Sequence, residues 1–521
     1  MDILVAPGLA PPATLPAELV AAQGITVCRA ASTAWASLPT DDPASTTWSA
    51  RLLGDVELSQ SAVDALGIGG RVALGLADIE MWDGDGAFAD LVRYGTADGR
   101  KVTIRVAPAT APRASNTGTP FASAAIAFQG IVRAIDHADL KRARLAVVDV
   151  AERLATPLQS ARYAGIGGLE GPTALAGRPK PVCLGRVFNA TPIALGNVDL
   201  GYGSLPTYQS HWRAVAGHDA VRIRGVAQTA VTTTPSVGQF IDIPASGAFQ
   251  LGSSPDGTVT ADIRGDTVPV YVATTALVLK RLVQSLGPAF TDAELHADAW
   301  AFADTDLPGE IGWYRGTDEI STSDAATQIV ASTGAVLAGG RAGLLRMFDP
   351  LASATEQFTL PSAWIIDCKP LALPAGLRPL PVAVAVDWQR NWTPTTDLAG
   401  SVANTLRAQL QGATSGPARA ISTVITNRVA QQRDLAFAGL YWAQADALAR
   451  AAKWQAFLEA GPRIFEITTD RYLGQIECGD IGRVAYPAFG LDAGVRCVVV
   501  GWREALGARR LTLILVTLPE V

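Results

Sequence analysis

The sequence predicts a mainly β protein with an inserted α+β section and one long helix in its C-terminal half. Three observations predict it. Through the first 270 residues, short runs rich in β-branched residues alternate with turn signals at intervals of about 8–12 residues. Helical patterning is confined to three stretches, 276–286, 321–332 and 438–459. Near the end, Leu511-x-Leu513-x-Leu515 alternates strictly, the mark of a strand with one buried face.

Residues 1–44 read as an extended segment, because Pro7, Pro11, Pro12 and Pro16 follow the apolar start closely. No basic region precedes that start, so no secretory signal is expected. No run of 18 apolar residues occurs, so no membrane-spanning helix is expected and the chain is placed in a cytosol. Residues 45–165 read as a first barrel or sandwich. Its strands include Arg71–Leu76, Lys101–Val106, Phe128–Val132 and Arg144–Val150, with the turn dipeptide Asp98-Gly99 before the second. From Gly165 to Pro181 the chain is too rich in Gly and Pro for a regular element. Strands then resume, giving a β-rich domain over 166–270.

Residues 271–372 read as a small α+β domain. Gly287-Pro288 stops its first helix, and Ser321 caps its second with Asp324 three residues on. Residues 373–521 are β again, starting at Val382–Val386. An Ala-rich helix over about 438–459, ended by Gly461-Pro462, interrupts them. Four strands follow: 464–468, 483–486, 495–501 and 510–518.

Composition narrows the function. Charged residues are 17% of the chain and apolar ones 49%, against a usual charged share of about 25%. Charge depletion suits large subunit contacts, of more than about 1,200 Å² in total; a large apolar core is the other reading. The net charge of −6 and the lack of any Lys/Arg block argue against a nucleic-acid surface.

Chemistry leaves little trace. Cys28, Cys183, Cys368, Cys478 and Cys497 are far apart and odd in number, so buried reduced thiols are expected. His137, His211, His218 and His296 show no metal-site spacing. Gly165-x-Gly167-Gly168-x-x-Gly171 departs from a nucleotide loop at Glu170 and reads as a shaped loop. Asp83-Gly84-Asp85-Gly86 lacks the later ligands of a calcium loop and reads as a turn. The carboxylate pairs Asp298/Glu310 and Asp318/Glu319 have nothing to place them in a cleft. No catalytic, metal or cofactor residue is therefore assigned, and no enzyme activity is expected. Most of the twelve tryptophans suit a core. Trp313 with Tyr314, and Trp388 with Trp392, lie in turn-like contexts and are the candidate interface anchors.

Four segments, in order, resemble tail hub proteins of long-tailed phages and prophages. They are Tyr94-Gly95-x-x-Asp98-Gly99-Arg100, Gly177-Arg178-Pro179-Lys180-Pro181 with the strand after it, Gly247–Leu251 with Pro255–Gly265, and Gly479-Asp480 through Tyr486-Pro487-x-Phe489-Gly490. The similarity spans about 45–521 and omits the first 40 residues. It implies two hub-type β-barrels in one chain and a homotrimeric ring of pseudo-sixfold symmetry. That ring would join the tail tube to tip and fibre proteins in a virion baseplate. The implied partners are tail tube, distal tail, tape measure and central fibre proteins, with DNA passing through unread and no cofactor. The readings kept beside it are a distal tail ring or other tip protein, a carbohydrate-binding or cell-wall-degrading tip protein, and the hub of a cellular injection machine.

Overall fold

The computed structural model describes residues 2–7, 19–22, 25–63, 72–73, 75–86, 88, 95–96, 99–106, 120–139, 141–353, 355–430, 432–471 and 476–520. Tyr94, Asp98, Arg71 and Leu74, named above, lie outside them. Strand dominates, and one hydrogen-bonded sheet system takes strands from both ends of the chain.

The first barrel starts with a strand in two pieces, Thr47–Ala50 and Leu52–Ser61. The second piece pairs antiparallel with Gly75–Trp82, which pairs with Arg142–Val148, then Ala125–Asp139, then Lys101–Val106. The N-terminal strands Asp2–Pro7 and Ile25–Ala31, paired antiparallel, come next. Ile25–Ala31 pairs parallel with the first piece, which closes the barrel. The second barrel repeats this plan. Phe358–Leu360 and Ile365–Leu371 are its two-piece strand. Ile464–Thr469, Arg510–Thr517, Leu491–Ala505 and Ile481–Tyr486 follow in order. Phe358–Leu360 closes on Ile481–Tyr486 directly, again in parallel. The N-terminal segment therefore fills a seam that the second barrel closes without help.

The repetition extends to register. Lys101 lies opposite Ile131 and Ile104 opposite Phe128; Ile481 lies opposite Val498 and Val484 opposite Val495. Val132 pairs with Val147 and the register then shifts, so that Ala134 meets Ala146; Val499 pairs with Leu515 and the same shift brings Gly501 to Ile514. Gly99 N donates to Val132 O (2.8 Å) and Val132 N to Arg100 O (2.8 Å); Gly479 N donates to Val499 O (2.8 Å) and Val499 N to Asp480 O (2.9 Å). Such bulges bend a strand locally, and here they bend the long strand of each barrel at the same place. The chain thus contains one barrel twice. Both share a continuous apolar cluster that includes Leu58, Ile79, Leu145, Cys368, Ile467, Leu513 and Leu515.

Between the barrels in sequence lie two further bodies. Residues 182–266, with Gly312–Arg315 added at the edge of the first sheet, form two five-stranded sheets around Val187, Phe249 and Ile263, the second finished by the short strands at 229–231 and 239–243. Helices Thr275–Ser285, Ala297–Asp306 and Thr322–Ala331 pack into the largest core. Ser321 caps the third of them, its Oγ accepting from Asp324 N (3.0 Å). Residues 373–521 are divided between two cores. Ala383–Trp388, Gly416–Ile421 and Asp434–Tyr441 form a separate three-stranded sheet that joins the helical core, and the barrel resumes at Ile464.

The long helix starts at Gln444, later than 438. Residues 434–441 are a strand because Leu435, Phe437 and Tyr441 alternate inward. At Gly439, an added Cβ would lie 2.0 Å from Asp387 O, so only glycine lets the two strands approach. All five cysteines are buried, and no disulfide joins any two of them. No helix among the described residues is long and apolar enough to cross a membrane.

Candidate functional site

The two barrels join strand to strand. Gly501–Ala505, the far end of the long strand, pairs antiparallel with Glu57–Ser61, from Gly501↔Ser61 to Ala505↔Glu57. Ala62 N donates to Val500 O (2.7 Å) and Leu506 N to Val56 O (3.1 Å), extending the ladder at both ends.

A line of buried polar groups runs beneath this seam. Asp149 accepts from Gly75 N, Ala151 N (2.8 Å) and Gln60 Nε2 (3.1 Å). Gln60 also donates to Gly339 O (2.8 Å), and its Oε1 accepts from Trp502 Nε1 (3.3 Å). The Arg341 guanidinium lies 3.6 Å from the centre of the Trp502 ring and pairs with Glu504. Arg346 bridges Glu477 (2.5 Å) and Asp480 (2.8 Å). Burial pushes the Asp149 carboxyl up to about 7, against the hydrogen bonds it accepts. Burial also raises Asp480, against the pull of Arg346. Buried ion pairs of this kind add little net stability but penalise any arrangement that separates them.

Arg341 and Arg346 also line a cleft of about 780 Å³, walled by Ile126, by Phe302 and Asp298 of the Ala297–Asp306 helix, and by Phe348. Sequence reasoning missed this line except for Asp480, which it named only as part of a resembling segment. Its one signal was isolated charge in apolar runs, such as Arg341 and Arg346 within 335–348 and Glu504 beside Trp502.

The candidate anchors fall elsewhere. Trp313 is fully buried and Tyr314 nearly so, on the strand Gly312–Arg315 rather than in a turn. Trp313 Nε1 donates to Gln328 Oε1 (3.1 Å), and Tyr314 Oη donates to Thr191 O (2.6 Å). Neither can anchor a partner on this surface, since their area is already spent on the chain's own core. Trp388 and Trp392 are half-buried against that core; Trp392 lies edge-on to Tyr314 and beneath Arg390.

The resembling segments are places of tight backbone geometry. In Gly177–Pro181, Lys180 pairs with Glu170 (2.6 Å) and lies over the Tyr163 ring. Pro179 bridges to Arg162, and Tyr163 N donates to Arg178 O (3.0 Å). Gly247 is left-handed, and an added Cβ would meet the carbonyls of His211 and Arg213 at 2.4 Å. Gly479 has φ +94°, and a Cβ there would lie 2.5 Å from the Phe348 ring. Asp480 belongs to the buried line; Tyr486, Pro487, Phe489 and Gly490 form the turn into the long strand, with Phe489 half exposed.

One further constellation has a familiar shape. Ser210 Oγ lies 2.7 Å from His218 Nε2, and His218 Nδ1 lies 2.7 Å from Asp242 Oδ1. A nucleophile needs access as well as a base. Ser210 is fully buried and its Oγ also donates to Gly247 O (3.1 Å), so the trio staples the Gly247 turn. Burial lowers the His211 pKa against the pull of Asp266, and its Nδ1 accepts from Cys183 N (3.0 Å). No group of three or more metal-ligating side chains occurs among the described residues.

No family model and no curated protein matches the chain. Solved structures similar to it include a tail protein from Neisseria meningitidis MC58, at 9% identity and TM-score 0.39, covering 89% of this chain and 91% of that one. The 43 kDa tail protein of prophage MuSo2 from Shewanella oneidensis is 7% identical with TM-score 0.37, covering 89% and 92%. An E. coli component of the type VI secretion system, described as structurally similar to bacteriophage T4 tail proteins, is 8% identical with TM-score 0.31, covering 90% and 75%.

Proposed function

We propose that the chain is a structural component of a phage-type tail, acting as a baseplate hub without enzymatic activity. The observation that carries the reading is the barrel repeated in register and fused edge to edge within one chain. Three copies would present six near-equivalent barrels, so a threefold ring could meet a sixfold tube. The resembling segments point the same way. In this reading the ring seats the tail tube and distal tail proteins on one face and the tip or fibre proteins on the other. Tape measure protein and then DNA pass through its channel without sequence recognition, which a chain of net charge −6 favours by repelling phosphate. The half-exposed Trp388 and Trp392 remain candidates for contact with those partners.

Immunogold electron microscopy of particles from the source, with antibody to this chain, tests the proposal. Label at the tail tip is expected. Intact tailed particles with accessible tips and no label would overturn it. Clearing of host cell wall in a zymogram would restore the enzyme reading.

A further inference from the structure

We propose that copies of this chain join by a strand-to-strand seam that repeats, between molecules, the seam inside each one. Residues 134–138 of one copy would pair antiparallel with residues 369–373 of the next. The inference rests on the ring reading above and names the surfaces that make the ring.

The internal repeat supplies the register. Val132 corresponds to Val499, so Ala134–Ala138 corresponds to Gly501–Ala505. Ala77 faces Leu58 where Phe465 faces Pro370, and those two inner strands correspond through Ile79 and Ile467. Glu57–Ser61 therefore corresponds to Lys369–Leu373. Within the chain, Gly501–Ala505 and Glu57–Ser61 occupy each other's outer edges. Their counterparts are both vacant: among the described residues, nothing pairs with the outer edge of Arg133–Asp139 or of Ile365–Leu371. Each is the one edge that its twin uses to reach the neighbouring barrel. Ile366 and Leu371 are exposed on the second, and an apolar unpaired edge is a pairing surface unless it is guarded.

The guard is visible. Pro370 and Pro374 stand where Leu58 and Ala62 stand in the internal seam. Ala62 N donates to Val500 O; Pro374 has no N–H to repeat that bond. The edge thus keeps its acceptors and loses donors, which favours one register and discourages indiscriminate pairing. The contact is heterologous, one copy's 134–138 meeting the next copy's 369–373, so it generates a ring when the rotation closes.

Asp136 and Leu371 correspond to Arg503 and Ser59. Ladder bonds of the internal seam fall on Val500 and Leu506, which leaves Arg503↔Ser59 a non-hydrogen-bonded pair. Cα atoms in such pairs are about 4.5 Å apart, within disulfide reach. The test is the full chain carrying Asp136→Cys and Leu371→Cys, mildly oxidised, with each single variant as a blank; the native cysteines are buried. Covalent oligomers in the double variant alone are expected. A non-covalent oligomer in sedimentation without that cross-link overturns the inference and leaves the hub reading standing. A chain that stays monomeric and uncross-linked overturns it too, and label at the tail tip then decides the hub reading separately. Leu371→Asp, which sets like charge against Asp136, is expected to weaken self-association roughly five-fold with the monomer's melting unchanged.

Discussion

Removing the Glu504 carboxylate tests whether the internal seam is held by its buried charges. Glu504 and Arg341 are each about 2% exposed. Glu504→Ala leaves the guanidinium with Ile476 O (3.1 Å) and the Trp502 face, and Arg341 Nη2 already lacks a hydrogen-bond partner. Breaking a buried pair from one side costs about 3–5 kcal/mol, because an uncompensated charge stays in the interior. In a cooperative unit of about 150–250 residues each kcal/mol moves Tm by about 2–4 °C, so a fall of roughly 6–20 °C in the barrel transition is expected by calorimetry. The charge-free pair Arg341→Met with Glu504→Leu is expected to recover most of the loss, since an apolar replacement of similar volume is often neutral. A single variant melting within about 2 °C of the native chain would refute the reasoning. So would a double variant as unstable as the single one.

Asp149 gives a pH prediction. Its folded pKa, near 7, lies above the unfolded value of about 3.9, so the folded state holds the proton more tightly. Its contribution to stability is fully present below about pH 4 and is lost as pH rises through 7; Asp149→Asn is expected to flatten that part of a melting-against-pH curve. Gly479→Ala forces a Cβ against Phe348 at φ +94° and is expected to cost at least about 1–3 kcal/mol from backbone strain alone, read as a lowered denaturation midpoint. Trp313→Ala empties a fully buried site and is expected to cost about 3–5 kcal/mol in the helical core, while a half-exposed anchor would have changed association and spared folding.

The sequence made strands legible wherever one face is wet. Leu511, Leu513 and Leu515 are all buried, as their alternation predicts. The helix stops at Gly287 and the Ser321 cap were readable for the same reason: their signals are local. Asp434–Tyr441 was missed because Ala and Gly at its outward and close-packed positions imitate an Ala-rich helix start. The helix Ala297–Asp306 was missed because its apolar residues mark no clear stripe. The repeat was invisible for a deeper reason. What it conserves is register, bulge position and backbone hydrogen bonds, which many side chains satisfy. Asp149 and Thr517 show this: each takes an N–H at the entry to the equivalent strand, that of Gly75 or of Arg463, yet one is a carboxylate and the other a hydroxyl.

The two copies also differ at the seam, and the difference follows from what each edge must do. Inside the chain, Trp502, Glu504 and Gln60 are buried and tied to Arg341 and Asp149. Their counterparts at the vacant edges are Ile135, His137 and Ala372. His137 is exposed and contacts Asp83 (3.1 Å), and Ala372 is exposed as well. The internal seam forms once, as the chain folds, so separated buried charges can enforce its register at no cost to assembly. A seam between molecules must stay soluble until a partner arrives, and buried ions at an open edge would prevent that. Prolines perform the selection instead, by deleting donors that a wrong partner strand would need. Replacing Pro370 and Pro374 with Leu and Ala, the residues of the internal seam, is therefore expected to strengthen self-association while broadening it into irregular aggregates, seen as polydispersity in light scattering; a uniform, tighter ring would show that the prolines do not select the register.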